Sequence, residues 1–405
     1  MSPTVRVQLS LLMFLQYFVW GAWYVTMGPY LTKTAGFTDP QNGLAYGTTA
    51  LAAIISPFFV GMVADRFFPT ERVLAVLHLV GAGLLWWLSS QTQFSSFYTI
   101  LIAYTLCYMP TLALANSLSF HHVSDPGRDF PGIRVLGTIS WIIAGFTITA
   151  LGLGQSAGMF KVAAVASAAL GLYSLTLPHT PPSRRAGGIK ARDVLGLDAL
   201  ALLKDRTFAV FVLGSFLVSI PLQFYYALTA TFLTEVGMAN VESKMTFGQM
   251  SEIGFLLVMP FVFARLGIKK MLLIGMLAWT LRYVLFAFGN NGPAVWMLYT
   301  GIILHGICYD FFFVTGQIYV DTRAPAAIRG AAQGFIAFVT LGVGMFIGSY
   351  LSGLVANSYR IAGAVEGAIP HDWTKLWLVP AAMAGGVLLL FAAAFNERQA
   401  ASEAK

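Results

Sequence analysis

The chain is 405 residues long, 57% hydrophobic and only 10% charged. Soluble domains are about 25% charged, so most of this chain must face lipid or other apolar helices. Alternating ten-residue strands, the mark of an outer-membrane barrel, are absent, which leaves a polytopic, all-α membrane protein.

Apolar segments of roughly the 17–25 residues that a helix needs to cross a hydrocarbon core follow one another along the chain. They cover 7–31, 41–64, 73–90, 94–121, 130–153, 157–178, 207–234, 245–264, 269–289, 293–320, 331–356 and 375–395, twelve in all. The first is too long for a signal peptide and has no small-residue cleavage site, so it is expected to be retained. With the N-terminus inside, seventeen Lys and Arg fall in inner loops and tails; five, Lys33, Lys161, Lys244, Arg360 and Lys375, fall outside. That bias puts both termini in the cytoplasm, so the net charge of +7 is topological and no nucleic-acid footprint. The two cysteines, Cys107 and Cys308, lie in spans and imply no disulfide framework.

The longest polar stretch, 179–206, falls after six spans and before six more. It divides the chain into an N-terminal bundle (1–178), a cytoplasmic linker (179–206) and a C-terminal bundle (207–405). Short basic turns recur at matching points: GMVADRFFPTERVL (61–74) against ARLGIKKMLLIG (264–275), and DFPGIRVLG (129–137) against RAPAAIRGAAQG (323–334). The first of these resembles the loop signature of the major facilitator superfamily. Gly61, Asp65, Arg66 and Arg72 fit it, while the glycine between its arginines is missing.

Polar groups inside spans are the candidates for chemistry, because each is costly in lipid. In the fifth span Arg134, Thr138 and Trp141 are spaced i, i+4, i+7 and share one helical face. A forked guanidinium and a flat indole suit a planar or hydroxylated ligand; a loop-edge arginine snorkelling to the cytoplasm is the plainer reading. Gln249 and Glu252 lie at i, i+3 in the eighth span, and Gln223 accompanies Tyr225 and Tyr226 in the seventh. Gln249 also fits a solvated rim, and Gln223 also fits a helix-to-helix bond. In the tenth span His305 and Tyr309 share a face, and Asp310 is turned by about 100° from Tyr309. A carboxylate at a bilayer centre costs roughly 2.5–3.5 kcal/mol on insertion scales. Asp310 reads either as a proton switch set by a nearby Arg134 or Arg282, or as one half of a permanent bridge to Arg282. No metal-ligand spacing and no cofactor motif occurs.

The chain resembles the nucleoside:proton symporters of the major facilitator superfamily, the bacterial nucleoside permeases. The matching stretches are FLQYFVWGAW (14–23), YMPTLALANSLSF (108–120), DFPGIRVLGTI (129–139), TLPHTP (176–181), LGLDALALLK (195–204), WTLRYVLFAFG (279–289), YDFFFVTG (309–316) and PAAIRGAAQG (325–334). The resemblance implies the major facilitator fold, twelve transmembrane helices in two six-helix bundles, in a bacterial inner membrane. It implies a monomeric carrier that imports nucleosides with protons by alternating access, the substrate binding between the halves. It carries the family's ligand-gripping positions onto Arg134, Thr138, Gln223, Gln249 and Glu252. Asp310 takes the place of a proton-coupling aspartate, with Glu252 the second choice for that role.

Three positions depart from that family: Trp141, Tyr226 and His305 stand where the permeases carry Phe, Asn and Tyr. Arg134-x6-Trp141 is similar to the galactoside-binding pair of the oligosaccharide:proton symporters, to which Glu252, Arg282, His305 and Asp310 also compare. A sugar symporter is therefore the alternative. Trp141, Tyr226, His305 and Tyr309 stay in the candidate binding set either way. An intramembrane protease fits poorly. Tyr309-Asp310 resembles the Tyr-Asp of the aspartyl type, but the partner motif Gly-x-Gly-Asp is missing, since Gly342-Val343-Gly344 is followed by Met345.

Overall fold

The structure is a computed structural model and describes residues 2–59, 67–182, 197–325, 328–363 and 370–396. Among the described residues all regular structure is helical, apart from one isolated bridge pairing Arg360 with His371. The chain separates into two compact units, Met1–Ala191 with Asn240–Thr246, and Arg192–Ala239 with Phe247–Lys405.

The first unit holds α1 (Pro3–Gly21), α2 (Asp39–Phe59), α3 (Thr70–Leu88), α4 (Phe94–His122), α5 (Pro126–Ala150) and α6 (Gly158–Ser174). α1 begins where the Ser2 hydroxyl accepts from Val5 N at 3.3 Å, with Pro3 pre-set for the first turn. The span expected over 7–31 is not one regular helix. Past Gly21 the chain turns, resumes at Met27–Pro29 and ends in a π-turn, Tyr30–Thr34. Pro29 supplies no backbone N–H for a regular helical bond there.

The second unit holds α7 (Arg206–Glu235), α8 (Val241–Phe288, whose first residues group with the first unit), α9 (Val295–Arg323), α10 (Arg329–Ser358) and α11 (Trp373–Ala394). The spans expected over 245–264 and 269–289 are not separated by a polar loop. They run on as α8, broken at Gly267, whose φ of 70° and ψ of 177° are open to glycine and strained for a residue with a Cβ. One residue does the work expected of the basic turn.

The expected linker is described only at its ends. Its start is tied to the first turn of α3: His179 Nδ1 lies 2.8 Å from Glu71 Oε1, Thr180 N donates to Glu71 Oε2 at 3.0 Å, and Thr70 N donates to Thr180 O. Its end is a 3₁₀ helix, Leu197–Lys204, followed by Asp205, which caps α7 through Thr207 N and Phe208 N and pairs with Arg323 of α9. Residues 183–196, and Gly61, Asp65 and Arg66 of the loop signature, lie outside the described residues.

Among the described residues eight helices are long and apolar enough to cross a membrane: α3, α4, α5, α7, α8, α9, α10 and α11. Side chains such as Leu257, Phe261 and Leu389, each more than two-thirds exposed, point outward where a soluble protein would place charge. A helix satisfies its own backbone, so this apolar exterior suits hydrocarbon.

Candidate functional site

In the first unit the predicted α5 face leans on α1. A Cβ on Gly137 would stand 2.6 Å from the Tyr17 ring, and one on Gly21 would stand 3.2 Å from the Trp141 backbone and indole. Only the missing side chains allow the two helices so close. Tyr17 thereby lies under the Arg134 guanidinium, whose Cζ is 4.1 Å from the ring centroid, a cation–π contact of about 0.5–2 kcal/mol. Trp141 meets Trp20 edge-on at 5.4 Å and Tyr24 at 6.4 Å, and Trp20 meets Tyr108 at 5.9 Å. Arg134, half-buried Thr138 and Trp141 thus put a forked donor, a hydroxyl and an aromatic wall on one face.

Beside this face lies a polar network that sequence reasoning passed over. Gln16 of α1 is fully buried and donates from Nε2 to Thr111 Oγ1 at 2.7 Å; its Oε1 is 3.0 Å from His78 Nε2. His78 Nδ1 is 3.2 Å from Ser167 Oγ, and the Tyr108 hydroxyl donates to the Gln16 carbonyl at 2.5 Å. The signal was present in the sequence: Gln16 in FLQYF and His78 in VLHLV each interrupt an apolar run.

In the second unit α8 and α9 touch at two glycines. A Cβ on Gly306 would stand 2.7 Å from Glu252 N, and one on Gly248 would stand 3.0 Å from the His305 Cβ. The Ser251 hydroxyl donates to Ile303 O at 2.7 Å and accepts from Gly306 N at 3.1 Å, locking the register. This contact places His305 Nε2 4.0 Å from Glu252 Oε2. The His305 ring stacks on Tyr225 (5.3 Å, 18°), meets Tyr226 edge-on at 6.2 Å and tilts against Tyr309 at 5.9 Å.

Asp310 is 1% exposed and opens a five-residue π-segment, Asp310–Val314. Such segments leave the regular bonding ladder and recur at functional sites. Its Oδ2 has no hydrogen-bond partner in the structure. The bridge to Arg282, one of the two sequence readings of Asp310, is not formed. Arg282 is fully buried, donates from Nε to Gly301 O at 2.9 Å and lies 4.0 Å over the Tyr225 ring. Its two Nη atoms have no hydrogen-bond partner.

Gln223 is buried on α7 with its Oε1 unsatisfied, where Gly348 of α10 approaches so closely that a Cβ would meet the Gln223 Cβ at 2.8 Å. Gln249 lies three residues before Glu252 on α8 and is half-buried. The structure therefore gathers Glu252, His305, Tyr226 and Tyr309, with Asp310 the next residue along α9. Among the described residues no group of three or more His, Cys, Asp or Glu side chains is arranged to hold a metal ion.

Comparison with known proteins gives consistent matches. A profile of the family described as Nucleoside H+ symporter matches residues 3–400. The chain is 42% identical to the putative nucleoside transporter YegT of Escherichia coli (strain K12), over 96% of this chain and 93% of that one. It is 34% identical to the xanthosine permease of the same organism, over 96% and 95% of the two chains. A crystal structure of a variant of the nucleoside transporter NupG superposes with a TM-score of 0.91 at 32% identity, covering 97% of this chain and all of that one.

Proposed function

The chain belongs to the nucleoside H+ symporter family, and from that membership we infer that it is a proton-coupled secondary active transporter importing nucleosides by alternating access. It is an integral membrane carrier and not an enzyme, in keeping with its relatives. We read the chain as twelve transmembrane helices in two six-helix bundles, residues 1–178 and 207–405, joined by a cytoplasmic linker at 179–206. The Gly267 break supports counting α8 as two passes. The charge bias of the loops supports cytoplasmic termini, and the bacterial relatives support an inner-membrane location; a monomer is the simplest assembly for such a carrier.

In this reading Arg134 and Thr138 bind the substrate's oxygens and nitrogens, and Trp141 or Tyr309 stacks on the base or sugar. Gln223, Tyr226, Gln249, Glu252 and His305 supply further donors and acceptors. Asp310 carries the proton, with Glu252 the second candidate. The observation that carries the coupling is Asp310 itself: a buried carboxyl with a partnerless oxygen, on a π-segment and unpaired with Arg282. Such a group can take up and release a proton as its surroundings change. The relatives do not favour the sugar alternative raised by Trp141 and His305.

Uptake into proteoliposomes under an inward proton gradient tests this, with labelled uridine, adenosine and a disaccharide compared. Accumulation of a nucleoside above its outside concentration is expected. Accumulation of the disaccharide alone would overturn the substrate assignment and leave the coupling standing.

A further inference from the structure

We propose that His78 and Gln16 are positioning residues for substrate binding: together they brace α1 so that Tyr17 and Trp20 hold Arg134 and Trp141 in binding geometry. This rests on the reading that Arg134 and Trp141 touch the substrate.

The bonds run in one direction. The Thr111 hydroxyl donates to Tyr108 O at 2.5 Å, so its oxygen is left to accept from Gln16 Nε2 at 2.7 Å. The Gln16 amide is then fixed with Oε1 toward His78, 3.0 Å away, which requires a hydrogen on Nε2. His78 Nδ1 faces the Ser167 hydroxyl at 3.2 Å, and that hydroxyl also reaches the His78 carbonyl at 2.9 Å. The Tyr108 hydroxyl closes the loop onto the Gln16 carbonyl at 2.5 Å, and the Tyr108 ring stands edge-on to His78 at 6.0 Å. Four helices, α1, α3, α4 and α6, are joined through side chains that are at most 2% exposed. The one Ser167 hydroxyl hydrogen serves either Nδ1 or the His78 carbonyl, but at Gln16 the bonds to Thr111 and His78 are both made, and breaking either strands a buried partner.

What the network holds is α1, and α1 holds the ligand face. Gln16 adjoins Tyr17, which cups Arg134, and Trp20, one turn on, walls Trp141. Tyr108 is itself a member of the network and also touches Trp20. Gly21 and Gly137 leave no slack between α1 and α5, so a rotation of α1 displaces both binding side chains. Positioning errors of this kind weaken binding while the protein remains folded.

The test is uptake kinetics with uridine in proteoliposomes for the parent, His78→Phe, His78→Gln and Thr111→Val, with Arg134→Ala alongside. His78→Phe keeps the ring volume and loses the hydrogen on Nε2. His78→Gln brings an amide N–H to nearly the same place. His78→Phe is expected to raise KM about tenfold, the scale of one lost buried hydrogen bond, with Vmax within about twofold of the parent. Thr111→Val is expected to raise KM about threefold by stranding the Gln16 amide, and His78→Gln to stay within about twofold of the parent.

A role in folding alone would lower Vmax and thermal stability and leave KM where it was, and that result overturns the proposal. So does a His78→Gln protein as impaired in KM as His78→Phe. Should His78→Phe fail to fold, Thr111→Val decides on the same criterion. Unchanged KM in Arg134→Ala would instead sink the reading of the binding face. Raised KM there, with unchanged KM in His78→Phe, overturns only the bracing.

Discussion

Glu252 and His305 meet across α8 and α9 with 4.0 Å between carboxylate oxygen and Nε2, at the point where Gly248 and Gly306 let the two helices touch. His305 is buried, while the Glu252 side chain beside it is 22% exposed, and polar groups within spans are seldom idle. The imidazole is also sandwiched among Tyr225, Tyr226 and Tyr309, so a change at Glu252 reaches His305 across the 4.0 Å contact and a change at His305 disturbs the packing around it.

That contact predicts coupling. Glu252→Gln and His305→Gln should each raise the KM for a nucleoside. The double variant should be less impaired than the product of the two effects, by an interaction of about 0.5–3 kcal/mol. Uptake kinetics on the four proteins give the value. Strict additivity would mean that the two side chains act separately.

Asp310→Asn keeps the size of the side chain and removes its proton. Accumulation against a gradient should vanish, while exchange of external for preloaded nucleoside persists near the parent rate, because exchange does not require the carrier to release its proton. Comparing the two assays on one preparation checks it. Uphill accumulation by Asp310→Asn would hand the proton to Glu252 or to another group.

Trp141→Ala should weaken binding by the worth of one aromatic–base stack, about 1–3 kcal/mol, or roughly 5- to 150-fold in affinity. Trp141→Phe should keep most of it. Equilibrium binding of labelled uridine in detergent separates the two. Equal losses in both variants would point to packing against Trp20 rather than contact with the base.

Gly306→Ala and Gly254→Ala form a contrasting pair. A methyl at Gly306 meets backbone atoms of Ser251 and Glu252 at 2.7 Å, which cannot move aside, so a loss of about 1–3 kcal/mol is expected. At Gly254 nothing lies within 4 Å, and alanine there should be neutral or stabilising by up to about 1 kcal/mol. Thermal unfolding of the purified proteins measures both. Equal stability of the two would mean that α8 and α9 are not held at this distance.

The helical membrane class was legible because lipid leaves so few options: apolar segments of spanning length can only be helices, and the composition left no room for anything else. The family was legible from short polar and glycine-bearing stretches such as YDFFFVTG and PAAIRGAAQG. The Gly267 joint was not. A basic ARLGIKK reads as a loop, whereas the chain needed only one residue able to adopt a left-handed φ. The His78 network was hidden by distance along the chain, since Gln16 and Ser167 lie 62 and 89 residues away and a lone histidine in an apolar helix announces no partner. Arg282 and Asp310 share neighbouring spans, and charge alone suggested a bridge. Backbone geometry decided otherwise by offering the guanidinium the Gly301 carbonyl and the Tyr225 face.

The most direct measurement is nucleoside-driven proton entry. Proteoliposomes carrying a pH-sensitive dye in the lumen, with no gradient imposed, are mixed with external uridine. The account predicts that the lumen acidifies with the parent protein and stays unchanged with Asp310→Asn, although labelled uridine equilibrates in both. Uridine entering through the parent protein with no change in lumenal pH would contradict it.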